Sequence, residues 1–234
     1  HMKKQHKYRV ISLFSGAGGM DLGFINAGFE IVWANDFFKE AVESYKKNVD
    51  DRIVYGDITK IDSSEMPDDI DLVIGGFPCQ GFSVANTKRS MKDERNFLYK
   101  EMLRVIDDKK PKFFVAENVK GILSMKKGKV FDMIKKDFKK LGYNVDARLL
   151  NAAEYGVPQA RERVVIIGNR IGVENPYPKP THWVDSKKYE SKKDLKDPVT
   201  VEQTIGFLSD VRLSDKPITL ENGMVIYNHI YLLV

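Results

Sequence analysis

Apolar residues in this chain fall into short runs, and between the runs they recur at three- and four-residue intervals. The first run, Tyr8-Arg9-Val10-Ile11-Ser12-Leu13-Phe14, predicts a strand leading into the turn Ser15-Gly16-Ala17-Gly18-Gly19. A helix is expected from Met20 to Ala27, stopped by Gly28. Phe29 to Ala34 predicts a second strand ending in Asn35-Asp36, Lys39 to Lys47 a helix, and Arg52 to Tyr55 a short third strand before Gly56-Asp57-Ile58. Ile70-Asp71-Leu72-Val73-Ile74 reads as a buried fourth strand, and residues 97–107 have helical spacing. Lys112 to Ala116 predicts a fifth strand ending in Glu117-Asn118. Val130 to Leu141 predicts a helix with Val130, Phe131, Ile134, Phe138 and Leu141 on one face and lysines opposite. Tyr143 to Leu150 and Val164 to Gly168 complete the set of strands.

Strand alternating with helix predicts an α/β fold with a doubly wound, mostly parallel sheet. After Asn169 the texture changes. Residues 174–200 hold four prolines and a cluster of lysines, as an extended surface connection would. Thr200 to Leu208 predicts one more short helix, followed by strand-like fragments with no core of their own. The expected division is therefore a catalytic, cofactor-binding domain over 3–172 and an extended region over 173–234. His1-Met2 reads as a cloning remnant and stands outside the fold.

Composition narrows the classes. With 234 residues and 42% hydrophobic content the chain can bury a full core. No apolar run approaches the roughly 18 residues that span a bilayer, so no membrane role is expected. One cysteine excludes an internal disulfide and a cysteine-based zinc cluster, suits a reducing cytoplasm, and leaves no metal site expected. The net charge of +5 is a mild lean towards polyanions.

The only cysteine lies in Gly75-Gly76-Phe77-Pro78-Cys79-Gln80-Gly81-Phe82-Ser83. A lone cysteine is usually a small buried hydrophobe. Here two glycines and a proline turn the chain sharply out of the fourth strand. The thiol is thereby expected at the strand's carboxyl end, where open α/β sheets bind ligands.

The glycines of the first turn fall at 16, 18, 19 and 23, and the position a dinucleotide-binding turn would give to a third glycine is Asp21. That argues against a pyrophosphate on the helix terminus. Asp36, at the end of the second strand, is placed to accept from ribose hydroxyls, Phe37 to pack on a purine, and Asp57 to accept from an exocyclic amine. Both aspartates also suit caps, and Phe37 the core, so each residue alone leaves two readings open. Three of them at successive strand ends favour adenosine without a diphosphate. Glu117 is expected at the same edge. Arg161 and Arg163, two apart in Gln159-Ala160-Arg161-Glu162-Arg163, share one side of an extended segment and suit an anion or a polar base edge.

Phe14-Ser15-Gly16-Ala17-Gly18-Gly19, Pro78-Cys79-Gln80, Glu117-Asn118-Val119 and residues 159–163 stand in the order and spacing of the cytosine carbon-5 DNA methyltransferases, which the chain resembles over residues 8–170. The resemblance implies the S-adenosylmethionine-dependent (Rossmann-like) methyltransferase fold and methyl transfer to a flipped cytosine in double-stranded DNA, as in restriction-modification. It implies a cofactor pocket of Phe14, Gly16, Ala17, Gly18, Gly19, Asp36, Phe37, Asp57, Ile58 and Leu98. Cys79 would be the nucleophile, Glu117 would engage ring nitrogen 3, and Arg163 with Arg161 would hold the base and the active loop. The long polar loop after Cys79 suits closure on the phosphates; its Gln80, Ser83, Lys88, Arg89 and Arg95 are the candidate nucleic-acid contacts.

Members of that family continue into a target-recognition domain and two further motifs, which are not found before the end of this sequence. Either a longer gene or a second polypeptide carrying target recognition and the closing cofactor motif is expected. An RNA cytosine-5 methyltransferase and a cofactor-binding subunit inactive without its partner are the alternatives.

Overall fold

A computed structural model describes residues 7–78, 98–184, 194–208, 218–219 and 225–226. The chain divides into two compact units, one of residues 1–150 with 162–178, the other of 151–161 with 179–234. The first holds a seven-stranded sheet with the strand order β3-β2-β1-β4-β5-β7-β6. Its strands are β1 (Arg9–Leu13), β2 (Glu30–Asp36), β3 (Ile53–Tyr55), β4 (Leu72–Gly75), β5 (Phe113–Val119), β6 (Asn144–Asn151) and β7 (Glu162–Asn169). The helices are α1 (Gly19–Asn26), α2 (Lys39–Asn48), α3 (Leu98–Lys109) and α4 (Lys129–Lys140). The mostly parallel α/β reading from hydrophobic periodicity is borne out.

β1 lies inside the sheet and runs parallel to both β2 and β4, and the same direction continues to β3 and β5. Strand alternation sorts its side chains onto two faces. Ile11 and Leu13 join a large core with Met102, Val105 and Ile106 of α3 and Ile134 and Phe138 of α4. Val10 joins a smaller core with Val42 and Tyr45 of α2, against which Met20 and Phe24 of α1 also pack.

β7 departs from the parallel pattern. It lies between β5 and β6 and runs antiparallel to β5. Hydrophobic periodicity carries no information about strand direction, and the consequence is functional. The beginning of β7 is brought to the edge where the parallel strands end. At the other end of this pairing Gly168 faces Phe114. A Cβ on Gly168 would overlap the Phe114 ring, which is stacked on Phe138 with centroids 4.3 Å apart and meets Tyr143 edge-on.

In the second unit, residues 152–155 form a short 3-10 turn, and Glu154 is buried, its carbonyl accepting from the Thr181 and His182 N–H groups. Helix α5 (Val201–Ile205) begins at a Thr200–Gln203 capping box. The two-residue strands β8 (Ile218–Thr219) and β9 (Val225–Ile226) pair antiparallel.

The Phe114 ring is held on both sides and has nowhere to move. Gly168→Ala is therefore expected to destabilise the protein by about 1–3 kcal/mol, the usual range for overpacking a filled core, seen as a lower denaturation midpoint with an unchanged m-value.

Candidate functional site

Strand register brings the candidate residues into one row. Leu13 pairs with Asn35 on one side and Gly75 on the other, and Gly75 pairs with Ala116. The next residue of each strand is thus Phe14, Asp36, Gly76 or Glu117, and Asp36 pairs with Tyr55 of β3. The turns that follow all open on the carboxyl edge of the sheet.

The glycine turn is held from several directions. Phe14 leaves β1 in the left-handed region at φ +54°, a conformation costly for a residue with a Cβ. Ser15 N–H then donates to the Asn35 carbonyl at 3.0 Å. Asp36 receives the N–H of Gly16 on Oδ2 at 2.7 Å and that of Phe38 on Oδ1 at 2.8 Å. One carboxylate therefore ties the first turn to the second. Gly16 has φ +56°, and a Cβ there would meet nothing within 4 Å, so this side of the turn is open. Gly18 caps α1 at φ +92°, and a Cβ there would press on Tyr45 and Val49. Ala17 is half-buried and Gly19, the first residue of α1, is exposed.

Asp21 occupies the first turn of α1 and is fully buried. It accepts from Ser12 Oγ and from Tyr45 Oη, each at 2.7 Å. Burial raises its pKa above the ordinary carboxyl range, against the pull of the two hydroxyls. The same burial, with the Asp21 charge beside it, pushes the Tyr45 phenol up.

The other cofactor candidates vary in exposure. Phe37 is 62% exposed and packs edge-on with Phe38, itself 66% exposed. Asp57 caps a short 3-10 turn, its Oδ1 accepting from both the N–H and the hydroxyl of Thr59, which holds its pKa below the usual range. Ile58 is buried in the large core, and Phe14 and Leu98, the first residue of α3, pack against it while remaining partly exposed. Cys79, Gln80, Ser83, Lys88, Arg89 and Arg95 lie outside the described residues.

Glu117 lies within β5, because pairing with β7 extends the strand through Val119. Its direct partner across the ladder is Val165, and Arg163 is two residues along on the same face. That diagonal places Arg163 Nε 2.8 Å from Glu117 Oε1, with both side chains about a quarter exposed (26% and 28%). Lys120 and Glu162 pair at 2.7 Å across the same strand ends. Arg161 is exposed and belongs to the second unit, where its carbonyl accepts from Ala152 N–H.

Two contacts here were not visible as sequence signals. A Cβ on Gly76 would stand 3.3 Å from Glu117 Oε2, so the missing side chain leaves room beside the carboxylate. Asn118, buried, donates from Nδ2 to the Phe77 carbonyl at 2.9 Å while its Oδ1 accepts from Val119 N–H. The described end of the chain segment leading to Cys79 is thus tied to β5. Neither contact has a sequence signal beyond proximity to Cys79 and Glu117, since each depends on β4 lying beside β5. Among the described residues no group of His, Cys, Asp and Glu could hold a metal, and no helix is long and apolar enough to cross a membrane.

Two measurements follow from these carboxylates. Glu117 and Arg163 remain in contact with solvent, where an ion pair contributes about 0–1 kcal/mol; Glu117→Gln should leave the unfolding free energy within that margin of the wild type. Asp21 holds its proton more tightly folded than unfolded. Its favourable contribution is complete below the unfolded carboxyl pKa and is lost as pH rises through the elevated folded value. Asp21→Asn should remove this slope, so that the difference in Tm moves in favour of the variant as pH rises through the acid range.

A family model for C-5 cytosine-specific DNA methylases matches residues 8–228. The Type II methyltransferase M.NgoFVII of Neisseria gonorrhoeae is 51% identical over 76% of this chain and 48% of its own. M.AquIA, a Type II methyltransferase of Picosynechococcus, is 41% identical over 86% of this chain and 88% of its own. A solved structure described as a prophage-encoded DNA modification methyltransferase (E. coli) is 30% identical, with a TM-score of 0.68 over 91% of this chain and 58% of that one. The chain spans 48% and 54% of two of the curated relatives it matches, about half their length. The expected resemblance and the expected fold are both borne out: this chain belongs to the C-5 cytosine-specific DNA methylase family.

Proposed function

We propose that this chain is the catalytic region of a DNA cytosine-5 methyltransferase, acting on a cytosine turned out of double-stranded DNA with S-adenosylmethionine as methyl donor. One observation carries the reading. The Glu117 carboxylate, ion-paired to Arg163, stands in the gap left by Gly76, three residues before the only cysteine of the chain. The family match supports the reaction, and the name Type II methyltransferase on its relatives supports a place in restriction-modification.

The residues at the sheet edge fit an adenosyl cofactor. The open side of Gly16 leaves space over the turn formed with Ala17, Gly18 and Gly19. Asp36 retains lone pairs at the rim for ribose hydroxyls, and Asp57 has an Oδ2 without a partner among the described residues for an amine. Phe37 offers an exposed ring for a purine face, and Phe14, Ile58 and Leu98 supply apolar surface. When bound, S-adenosylmethionine supplies an electrophilic methyl group.

Cytosine carbon 5 is too weak a nucleophile to take that group unaided. The Cys79 thiolate adds to carbon 6, and the displaced electron pair makes carbon 5 an enamine carbon. A thiol with a pKa of about 8.5 is only a few per cent ionised at neutral pH, so the site must favour the thiolate, which Arg163 and Arg161 would help to do. Glu117 would engage ring nitrogen 3 as charge arrives there, and Arg163, with Arg161, would hold the base. Once carbon 5 is methylated it loses its proton to a base and the thiolate departs, restoring the aromatic ring. Gln80, Ser83, Lys88, Arg89 and Arg95 would contact the DNA from the loop after the nucleophile.

In this reading 3–172 is the catalytic domain and 173–234 leads towards target recognition, which the rest of a longer protein or a second polypeptide supplies. The 88% coverage of M.AquIA supports a relative of similar length. The single cysteine suits work in the cytoplasm.

A duplex carrying 5-fluorocytosine blocks proton loss from carbon 5 and should trap a covalent complex when the donor and any completing polypeptide are supplied. Cys79→Ser should abolish the trap and lower methyl incorporation by a factor on the order of 1,000 or more. Undiminished methylation by that variant would overturn the proposal. Preference for transfer RNA over the duplex would reassign the substrate.

A further inference from the structure

We infer that Asp21 is a positioning residue for the adenosyl cofactor, holding the glycine turn in its binding shape from beneath. The inference rests on the function proposed above and adds a residue that touches neither donor nor base.

A fully buried carboxylate is expensive to maintain, and an apolar side chain could fill the first turn of a helix packed on a sheet. What distinguishes this one is where its hydrogen bonds lead. Ser12 is on the face of β1 that looks towards α1 and α2, and it donates to Asp21 Oδ1 at 2.7 Å. Ser15, inside the turn, in turn donates to Ser12 Oγ at 2.9 Å and to the Ser12 carbonyl at 3.2 Å. The three groups form a chain of hydroxyls running from the turn down to the carboxylate. Hydrogen bonds linked in such a chain polarise one another. From the opposite side Tyr45 donates to Asp21 Oδ2 at 2.7 Å. The ring of that tyrosine, together with Val49, fills the space a side chain on Gly18 would need. Both arms of the network therefore end on residues of the turn: Ser15 through a hydroxyl chain, Gly18 through ring contact.

The upper side of the turn has its own tether, the Asp36 carboxylate on Gly16 N–H. Between the two, the turn is clamped above and below, and the side over Gly16 is open. Removing Asp21 leaves two hydroxyls inside the protein without their acceptor and releases the lower clamp, while strands, helices and the upper clamp remain. The expected result is a looser cofactor site in a protein that still folds.

The test is the dissociation constant for S-adenosylmethionine, measured by titration calorimetry on the wild type and on Asp21→Ala, Tyr45→Phe and Ser12→Ala. Phe138→Leu, in the core on the other face of the sheet, is the control for a plain loss of stability. Asp21→Ala should weaken binding about tenfold or more, as expected from losing two buried hydrogen bonds and leaving both donors unsatisfied. Tyr45→Phe and Ser12→Ala should each weaken it in the same direction and by less. Phe138→Leu should lower Tm and leave the constant unchanged. If Asp21→Ala binds as tightly as the wild type, the inference is overturned and the proposed function stands. Should Asp21→Ala fail to fold, unchanged binding by both hydroxyl variants overturns it equally. A wild-type protein with no measurable binding even when any completing polypeptide is supplied would instead sink the proposed cofactor site, and this inference with it.

Discussion

The site depends on a constraint of sheet geometry: parallel strands can present their ends in a single row only when their register agrees. Here Leu13, Asn35, Gly75 and Ala116 are linked by ladder pairs, so Phe14, Asp36, Gly76 and Glu117 follow them in one row. The reversed strand β7 completes it. Only an antiparallel neighbour of β5 can begin where β5 ends, and its opening residues place Arg163 beside Glu117.

Most of this architecture was legible because periodicity and glycine placement are local. The strands at Val10, Ile31, Leu72, Phe114 and Val164 and the lysine-backed helix around Ile134 sit where their patterns put them. Boundaries moved where a neighbour supplied hydrogen bonds. β5 runs on through Glu117, Asn118 and Val119 because β7 pairs with them, so Glu117 is a strand residue with a fixed facing direction. The direction of β7 was not legible, since an apolar run reads alike in both senses.

The candidate site was legible as a set of residue types and not as a set of contacts. Asp36 and Asp57 were open to two readings, ligand or cap. Asp57 caps a turn, and Asp36 binds two backbone N–H groups, yet each keeps acceptor capacity towards the edge. Capping and ligand binding therefore need not compete, since a carboxylate has more lone pairs than a turn can use. In the sequence Asp21 stands out only as the wrong residue for a dinucleotide turn. Its partners come from β1 and α2, nine positions before it and twenty-four after, and no local rule connects them.

Three carboxylates now stand in order of exposure around the same edge, and the donors they receive differ accordingly. Asp21, with no contact to water, is met by hydroxyls of side chains fixed in the core. Asp36, at the margin of burial, is met by backbone N–H groups of the two turns it joins. Glu117, still open to solvent, is met by a guanidinium on one oxygen, with its other oxygen beside the space at Gly76. Donors built into the core or the main chain cannot be exchanged for a substrate, and they suit carboxylates whose task is to hold shape. An arginine side chain a quarter exposed to solvent can yield to a base or share the carboxylate with it. The gradient from fixed to exchangeable donors thus separates the groups that shape the site from the one placed to meet what enters it.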